Sequence, residues 1–464
     1  MSTDRNIVII GGGFAGTTLA RHLEKIVRPP YRVILVSEES YTTFNPMLAE
    51  VVGASVFPEQ VIVPIRQMLV RSRFIMATIT DVDYTRRVVH GRTLAGTREI
   101  PFEHLIFAFG TRANLDIVPG MAEHSLPLKL VGDAMFIRNR VLRQLARIEL
   151  ETCPELRRRL GHFIVIGGGF SGVEVAGELA DYIHSIKRFY KLVKDDELAI
   201  TILQDGERLL PELPEPLGIA AARLMSGRGI DVRLKRRAAQ VHANGVTLLD
   251  GTTIDGGTVV CTIGTKPNPL VQKLIQSVAL PVQRGRIETE PDMSVRGMPS
   301  LWAIGDCALV SNAATDSLSP PTAQFAMAQA RQLAVNVAHC LLHQPGKPFS
   351  YETRGAMATI GHMKGVAQIY GVNITGLPAW LLWRALYLAR MPTLGRKLRI
   401  FVEWTWGMFF PTDITHLRFT RTHEADEEPR ETLGNMPVQT AIGADRPSGL
   451  PRFRASVQHA NSNF

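Results

Sequence analysis

Two glycine-rich turns are the residues of this chain best suited to chemistry. Both have the spacing Gly-x-Gly-x-x-Gly, at Gly11, Gly13 and Gly16 and again at Gly167, Gly169 and Gly172. Each turn follows a run of β-branched residues and precedes an apolar helical pattern, which is the context of a dinucleotide site. Two such sites in one chain predict two bound dinucleotides and electron transfer between them.

The glycines and the first helical residues after them have separate tasks. The first glycine permits a tight turn, the second lets the backbone approach a pyrophosphate, and the third lets the helix pack closely on the strand. The helix N-terminus then offers unpaired N–H groups to the phosphates. The residues expected to do so are Phe14, Ala15, Phe170 and Ser171.

The residue after the second strand of each unit contacts the ribose. A carboxylate there accepts hydrogen bonds from the ribose hydroxyls and repels a 2′-phosphate. In the first unit Glu38 follows the strand Tyr31–Val36 and is expected to hold the adenosine ribose, with a solvated acidic turn as the alternative. In the second unit Gln204 and Asp205 follow the strand Leu198–Leu203, so a strict preference for NADH over NADPH is not predicted.

Further strand ends complete the predicted cofactor sites. Gly110 and Thr111 end an apolar strand where the backbone can approach a cofactor closely. Asp306 ends another buried strand and is expected to accept hydrogen bonds from the ribityl hydroxyls of a flavin, with a turn-capping role as the alternative. Val82 and Gly264 are the remaining residues of the predicted cofactor-binding set.

The chain order of these motifs predicts a split first domain, because the chain returns to the strand ending in Asp306 after the second glycine turn. We expect an α/β fold with two Rossmann-like domains. The expected boundaries are 1–117 and 270–345 for FAD binding, 118–269 for NAD(P)H binding, 346–420 for membrane association, and 421–464 for a tail of disordered composition. Helical patterns are also expected at Val61–Val70 and Asp133–Leu150.

Composition narrows the class of protein. The 464 residues suit roughly three domains, and 45% hydrophobic with 20% charged residues is typical of a globular chain. The cysteines, at positions 153, 261, 307 and 340, are too far apart for Cys-x-x-Cys or Cys-x4-Cys pairs. We therefore expect no metal and no redox-active disulfide, which excludes the disulfide reductases. Since the first strand already begins at Ile7, we expect no signal peptide and a place in the cytosol or on its membrane face.

Basic and aromatic residues are concentrated near the C-terminus. The net charge is +9, but no stacking platform accompanies it, so nucleic-acid binding is not expected. The stretches Leu377–Met391 and Leu394–Phe410 hold four of the five tryptophans, together with several arginines. Neither contains the ~18 uncharged apolar residues of a membrane-spanning helix. Their composition is typical of a segment lying in the lipid headgroup region, with a buried core hairpin as the alternative.

Several stretches give the chain a family resemblance. They are Ala108–Thr111, Ala303–Asp306, Pro320–Gln329, Pro348–Tyr351, Gly355–Gly361 and Ala379–Arg384. With the glycine turns, over about residues 5–420, they resemble the type II NADH dehydrogenases, which are non-proton-pumping NADH:quinone oxidoreductases of glutathione-reductase-like fold. The resemblance implies FAD as cofactor, NADH or NADPH as electron donor and a quinone as acceptor. It also implies a peripheral location on the cytoplasmic side of the inner membrane.

The resemblance also implies three catalytic residues. Glu174 lies two residues after Gly172, where the first unit has Thr18, so the fold alone requires no carboxylate there. Glu174 is expected near the nicotinamide–flavin stack, binding the nicotinamide amide or relaying protons; the alternative is a charge that favourably meets the helix dipole. Gln324 is expected at the flavin edge and quinone head group, with a structural role at the N-terminus of its helix as the alternative. Gln329, about 140° around the same helix, is expected farther out, with a plain surface residue as the alternative.

The sequence leaves two other functions open. One is a soluble reductase that passes single electrons to a small iron–sulfur or haem protein, which the aromatic C-terminal segment disfavours. The other is a flavin-binding redox sensor without catalytic turnover, which would be reoxidised slowly by quinones. The oligomeric state is also open, with a homodimer among the expected forms.

Overall fold

The strand before each glycine turn is buried on both faces. Ile7–Ile10 and Phe163–Ile166 are at most 4% exposed, as expected for central strands of a parallel sheet that helices cover on both sides. The computed structural model describes residues 5–391, 393–408, 410 and 413–416. The tail at 421–464, for which disorder is expected, lies outside the described residues.

The helices and strands are numbered in chain order. The helices are α1 Phe14–Ile26, α2 Leu48–Val52, α3 Ile65–Met68, α4 Met121–His124, α5 Val131–Leu150, α6 Pro154–Leu160, α7 Phe170–Ile186, α8 Glu215–Ser226, α9 Pro269–Val278, α10 Ala323–Leu341, α11 Leu377–Arg390 and α12 Leu394–Trp406. The strands of the first half are β1 Arg5–Ile10, β2 Tyr31–Ser37, β3 Tyr41–Thr43, β4 Ile62–Pro64, β5 Arg73–Met76, β6 Thr78–Asp83, β7 Val88–Thr93, β8 Gly96–Pro101, β9 His104–Phe107, β10 Thr111–Ala113, β11 Leu126–Pro127, β12 His162–Ile166, β13 Ala199–Leu203 and β14 Ile230–Arg233. Those that follow are β15 Ala238–His242, β16 Gly245–Leu248, β17 Thr253–Asp255, β18 Thr258–Cys261, β19 Thr265–Pro267, β20 Val282–Gln283, β21 Arg286–Glu288, β22 Leu301–Ala303, β23 Ala308–Leu309, β24 Ser311–Asn312, β25 Ser317–Leu318, β26 Gly355–Thr359, β27 Gly365–Ile369 and β28 Val372–Thr375.

Two five-stranded parallel sheets dominate the fold. The first has the order β22-β9-β1-β2-β5, and the second has the order β11-β18-β12-β13-β14. Four strands of the first sheet precede the second sheet in the sequence, and the fifth, β22, follows it and pairs with β9. The predicted α/β fold with two Rossmann-like units is confirmed; the domain boundaries stay a prediction.

A short antiparallel pair joins the edges of the two units. β10 continues from β9 of the first sheet, and β19 continues from β18 of the second. They pair with Thr111 opposite Pro267 and Ala113 opposite Thr265. The carboxyl ends of the two parallel sheets are therefore connected close to the predicted cofactor-binding residues, which follow the strands there.

One predicted helix is wrong and one is confirmed. The stretch Val61–Val70 forms β4 followed by the single turn α3 rather than one helix. Pro64 is the reason, because it lacks an N–H donor and disfavours helical backbone in the residue before it. The pattern at Asp133–Leu150 forms α5, which begins two residues earlier at Val131.

The C-terminal helices combine the two alternatives for that segment. Trp380 and Trp383 of α11 and Trp404 of α12 are buried in the structure. Leu394, Leu398, Phe401 and Val402 of α12 are exposed. One side of the helix pair α11 and α12 is thus part of the core, as the alternative of a buried hairpin predicts. The other side presents apolar side chains outward. No helix among the described residues is long and apolar enough to cross a membrane.

Candidate functional site

The first glycine turn is shaped by packing at two of its three glycines. Gly11 has a φ of +118°, and a side chain on it would collide with the Ala108 carbonyl. A side chain on Gly16 would collide with the Gly11 carbonyl. Gly13 has a negative φ, and its side-chain position faces open space with no atom within 4 Å. The fold therefore requires Gly11 and Gly16, whereas only a ligand would require Gly13.

The second turn repeats this arrangement. Side chains on Gly167 and Gly172 would collide with Ile263 and with the Gly167 carbonyl, respectively. At Gly169 the nearest atom is Glu212 Oε1, at an ordinary contact distance of 3.6 Å. In both units the space is thus kept at the middle glycine, where a pyrophosphate would lie.

Both turns lead directly into helix N-termini without side-chain caps. Gly13 caps α1 and Gly169 caps α7, and neither helix has a side-chain hydrogen bond at its start. The first-turn N–H groups, which include those of the predicted residues Phe14, Ala15, Phe170 and Ser171, remain the natural partners of an anion.

Glu38 lies directly after β2, where the sequence predicts a ribose-binding carboxylate. Its carboxylate contacts the Arg112 guanidinium, with Oε2 2.5 Å from Nη2, and both side chains are more than two-fifths exposed. Arg112 belongs to β10 and carries no sequence signal that would have identified it. Glu38 therefore lies at the carboxyl edge of the first sheet, where it pairs with Arg112.

The strand ends around the first turn leave polar groups available to a cofactor. The Thr111 hydroxyl is buried and has no hydrogen-bond partner among the described residues, and Gly110 before it has a φ of +62° with open space beside it. Burial raises the pKa of Asp306, against the opposing effect of Lys129 and Arg286. Thr111 and Asp306 are therefore polar groups available to the hydroxyls of a cofactor.

Two predicted cofactor residues are held by packing. The Val82 side chain lies in the core, and its N–H donates to Asp81 Oδ1 at 2.8 Å. Gly264 has a φ of +72°, and a side chain there would collide with Ile117. Their assignment to a cofactor stays a prediction, and a contact through the Val82 side chain has no support.

The position expected for Gln329 is wrong. Gln329 is 2% exposed rather than farther out, because α10 packs against the turn that begins at Gly305. Its Oε1 accepts a hydrogen bond of 2.7 Å from the Gly305 N–H. Gln329 thus positions the turn that carries Asp306. Gln324 is the more exposed of the two; its Nε2 donates to the Gly355 carbonyl at 3.2 Å, and its Oε1 accepts from the Thr353 hydroxyl at 3.1 Å.

Gln204 is directed toward the second glycine turn. The side chain is buried, and its Oε1 accepts a hydrogen bond of 2.8 Å from the Gly168 N–H. Asp205 next to it is exposed. The amide therefore supports the turn without adding negative charge at the position where a carboxylate would repel a 2′-phosphate.

Glu174 lines a cavity between the two units. The cavity has a volume of about 110 Å³ and is lined by Asn45, Leu48, Ala49, Leu128, Lys129, Ser171 and Glu174. Glu174 Oε1 accepts hydrogen bonds from Trp383 Nε1 at 3.3 Å and from the Thr359 N–H at 3.4 Å. Burial raises the pKa of Glu174 to about 8 despite these two donors. The cavity thus presents a carboxyl group that is protonated at neutral pH.

Lys129 links the two predicted cofactor sites. It lines the cavity with Glu174, and its charge acts on Asp306 of the first unit. A single lysine between β11 and α5 has no motif around it, so sequence reasoning missed it.

Two more buried carboxylates lie behind Glu174. Glu50 accepts a hydrogen bond from Trp404 Nε1 at 3.1 Å, and Glu178 accepts one from the Ser55 hydroxyl at 2.9 Å. Burial raises the pKa of both, that of Glu50 to about 7. The Arg384 guanidinium opposes these shifts and lies over two indole rings, 3.8 Å from the Trp380 centroid and 4.7 Å from that of Trp404.

A second, larger cavity opens beside Gln324. It has a volume of about 400 Å³ and is lined by Arg21, Gln324, Met327, Arg331, Tyr351, Ala389, Arg390 and Met391. We call it the arginine cleft. It lies where α1, α10 and the end of α11 meet, and it is the space from which a molecule would reach Gln324.

The family model of the pyridine nucleotide-disulphide oxidoreductases matches residues 5–330 of this chain. The chain belongs to this family. In this member all four cysteines are free.

Relatives narrow this membership, and a solved structure shares the fold. A type II NADH:quinone oxidoreductase of Mycobacterium tuberculosis is 28% identical, over 92% of this chain and 95% of the relative. An internal alternative NAD(P)H-ubiquinone oxidoreductase of Solanum tuberosum is also 28% identical, over 89% of this chain and 88% of the relative. The Plasmodium falciparum NDH2 structure in complex with NADH superposes with a TM-score of 0.81 at 21% identity, covering 89% of this chain and all of that one. The resemblance to type II NADH dehydrogenases is confirmed.

Proposed function

We infer that this protein is an NAD(P)H:quinone oxidoreductase that transfers two electrons through FAD without pumping protons. The observation that carries this function is the pair of glycine turns whose middle glycines, Gly13 and Gly169, both have space for a ligand that the fold itself does not use. The relatives named above, which carry out NADH:quinone and NAD(P)H–ubiquinone oxidoreduction, support the same reaction.

The first unit would hold FAD. Gly13 and the start of α1 would face the pyrophosphate, Glu38 the adenosine ribose, and Thr111 and Asp306 the ribityl chain. Bound there, FAD supplies the chemistry that accepts a hydride and releases electrons to the next acceptor. The chain's own residues position the cofactor and exclude water from it.

The second unit would hold the nicotinamide dinucleotide at Gly169 and α7. The α7 helix then directs Glu174 into the cavity between the units. Reduction of a quinone by NADH consumes one proton beyond the transferred hydride. Glu174 is buried and carries a proton at neutral pH, so it suits a role in holding that proton or the nicotinamide amide.

The quinone would approach through the arginine cleft, which Gln324 lines. The exposed apolar residues of α12 support a peripheral position on a membrane surface, which we assign to the cytoplasmic side of the inner membrane. A homodimer stays an expectation of the sequence.

A matched pair of glycine variants tests this function. Gly13→Val fills the space reserved at the first turn, so the purified protein is expected to lose its flavin and its NADH:quinone turnover. Gly132→Val is the control, because Gly132 also faces open space with nothing within 4 Å but belongs to α5. Flavin absorbance and reoxidation by a short-chain quinone are measured for both. Full flavin content in Gly13→Val, or wild-type flavin that NADH reduces but quinones leave reduced, would contradict the proposal.

A further inference from the structure

The arginine cleft carries a concentration of positive charge that the reaction with NADH does not need. Three arginines line it, Arg21 from α1, Arg331 from α10 and Arg390 from the end of α11, and no carboxylate does. In the part of the chain that the structure describes, none of the three forms an ion pair or a side-chain hydrogen bond. A fourth cation lies close by, because Lys397 Nζ donates a hydrogen bond of 2.8 Å to the carbonyl of Ala389 in the cleft wall.

The three arginines come from distant parts of the sequence. α1 packs along α10, which brings Arg21 near Arg331, and Arg390 reaches the same opening from α11. Cations that line one cleft without a carboxylate give it a positive potential, which attracts an anion. Guanidinium groups match the geometry of phosphate oxygens in particular.

The surroundings of the cleft favour a lipid as the source of that phosphate. Beside the arginines the lining is apolar, with Met327, Ala389 and Met391. The chain then continues into α12, whose Leu394 and Leu398 are 81% and 64% exposed. In a membrane, the arginines would contact the phosphates of the lipid headgroups, and the exposed apolar side chains of α12 would contact the acyl chains next to them.

We propose that Arg21, Arg331 and Arg390 form a binding site for the phosphates of anionic membrane phospholipids at the mouth of the arginine cleft. This rests on the proposed function and deepens it. Lipid bound to these three arginines would keep the mouth of the cleft against the membrane, so that a long-tailed quinone enters the cleft without crossing water.

The test compares two triple variants of the flavin-loaded full chain. The first, called the rim variant, carries Arg21→Gln, Arg331→Gln and Arg390→Gln together and so lacks the three arginines of the proposed site. The control replaces Arg98, Arg223 and Arg237 by Gln, which removes equal charge from exposed positions outside the cleft that form no ion pair among the described residues. Binding is measured by co-sedimentation with vesicles of phosphatidylcholine, alone or mixed with phosphatidylglycerol. Flavin reduction by NADH without vesicles shows that each variant is folded and loaded.

We expect the rim variant to bind phosphatidylglycerol vesicles roughly a hundredfold more weakly, from about fivefold per basic residue at an anionic surface. The control variant is expected to lose less than tenfold. Equal losses in both variants would overturn the proposal, because binding would then follow total charge. A wild type that prefers phosphatidylcholine vesicles would also overturn it.

Inorganic phosphate separates a lipid from a free anion. If it raises the melting temperature of the wild type but not of the rim variant, while both bind vesicles equally, the site takes a soluble anion and the lipid assignment is wrong. The proposed function fails on a different observation, namely that wild-type flavin reduced by NADH is not reoxidised by a short-chain quinone, and the vesicle result does not depend on it.

Discussion

Glu174 illustrates how burial decides the state of a single residue. It lies in the second turn of α7, beyond the first turn, so the helix dipole favours a charged carboxylate there only weakly. Burial opposes the charge more strongly, and the donors Trp383 and Thr359 compensate only in part. The carboxyl group that faces the cavity is therefore neutral at neutral pH, which is the state in which it can donate a proton.

A pH-dependent stability follows from this raised pKa. The unfolded chain ionises Glu174 near its ordinary value of 4.5, whereas the folded chain does so only near 8. Stability contributed by the neutral form is fully present below pH 4.5 and is lost as the pH rises through 8. We expect Glu174→Gln to reduce this loss by about 1–3 kcal/mol, as measured by urea unfolding between pH 5 and pH 9. Glu50 and Glu178 remain, so part of the slope persists. An unchanged slope would contradict the assigned protonation.

Gln204 gives a second residue-scale prediction. Because its amide supports Gly168 without negative charge, the wild type is expected to oxidise NADPH measurably. Gln204→Glu keeps an acceptor for the Gly168 N–H and adds a charge that repels the 2′-phosphate. We expect the ratio of kcat/KM for NADH over NADPH to rise about tenfold, or ~1.4 kcal/mol. Gln240→Glu on β15 is the control. A wild type already strongly selective for NADH would point to Asp205 instead.

Sequence reasoning selects residues whose positions are set locally, and their cofactor roles stay predictions. The glycines of both turns, Thr111 and Asp306 follow from a strand end and a tight turn, which neighbouring residues determine. Lys129 and Arg112 act through partners far away in the chain, and no motif surrounds them. Gln329 follows from the family resemblance, but its distant partner does not. The sequence could therefore indicate that Gln329 is important but not that it holds the Gly305 N–H.

At the level of elements, α12 shows two faces with different tasks. Trp404 and Ile400 are buried, whereas Leu398, Phe401 and Val402 are exposed. Periodicity in the sequence predicts such a helix but not which side the protein covers, because that depends on α11 and α2 packing against it. Removal of the chain from Leu377 onward would thus also remove core residues, so point substitutions on the outer face are the sharper test.

We expect Leu398→Gln combined with Phe401→Gln to weaken association with vesicles. The two side chains are 64% and 56% exposed, and each would contribute about 1–3 kcal/mol on burial in lipid. Leu94→Gln combined with Leu249→Gln, also at strongly exposed leucines, is the control. Turnover with a long-tailed quinone in liposomes should fall far more than turnover with a water-soluble one. Equal vesicle binding in both variants would show that this face does not contact lipid.

At the level of the whole molecule, two similar units have distinct partners. The turns share the same arrangement of required and open glycines. The units differ at equivalent positions beside the turns, with Ser37 in the first against Gln204 in the second, and Thr18 against Glu174. The fold class follows from the repeated motif, whereas the arginine cleft does not, because it is assembled from α1, α10 and α11.

We predict that the nicotinamide site at the second glycine turn can be lost without loss of the flavin site at the first. Gly169→Val fills only the second turn, so the protein should keep its flavin while NADH reduces it at least a hundredfold more slowly, or ~2.7 kcal/mol. Stopped-flow bleaching of the flavin absorbance measures this rate, and dithionite reduction serves as the control that the flavin is intact. Loss of flavin in this variant would mean that the two sites are not independent.

The placement of the tryptophans makes the C-terminal helices optically visible. Trp380, Trp383, Trp404 and Trp406 all belong to α11 and α12, and the fifth, Trp302, lies in β22 beside His104. Intrinsic emission of the protein therefore comes mainly from these two helices. Trp406 is 60% exposed, so its emission would shift to shorter wavelength when the helix enters a less polar medium, while the buried indoles would respond only when the pair separates from the core. A single unlabelled spectrum can thus distinguish attachment of this helix pair to a surface from its unfolding.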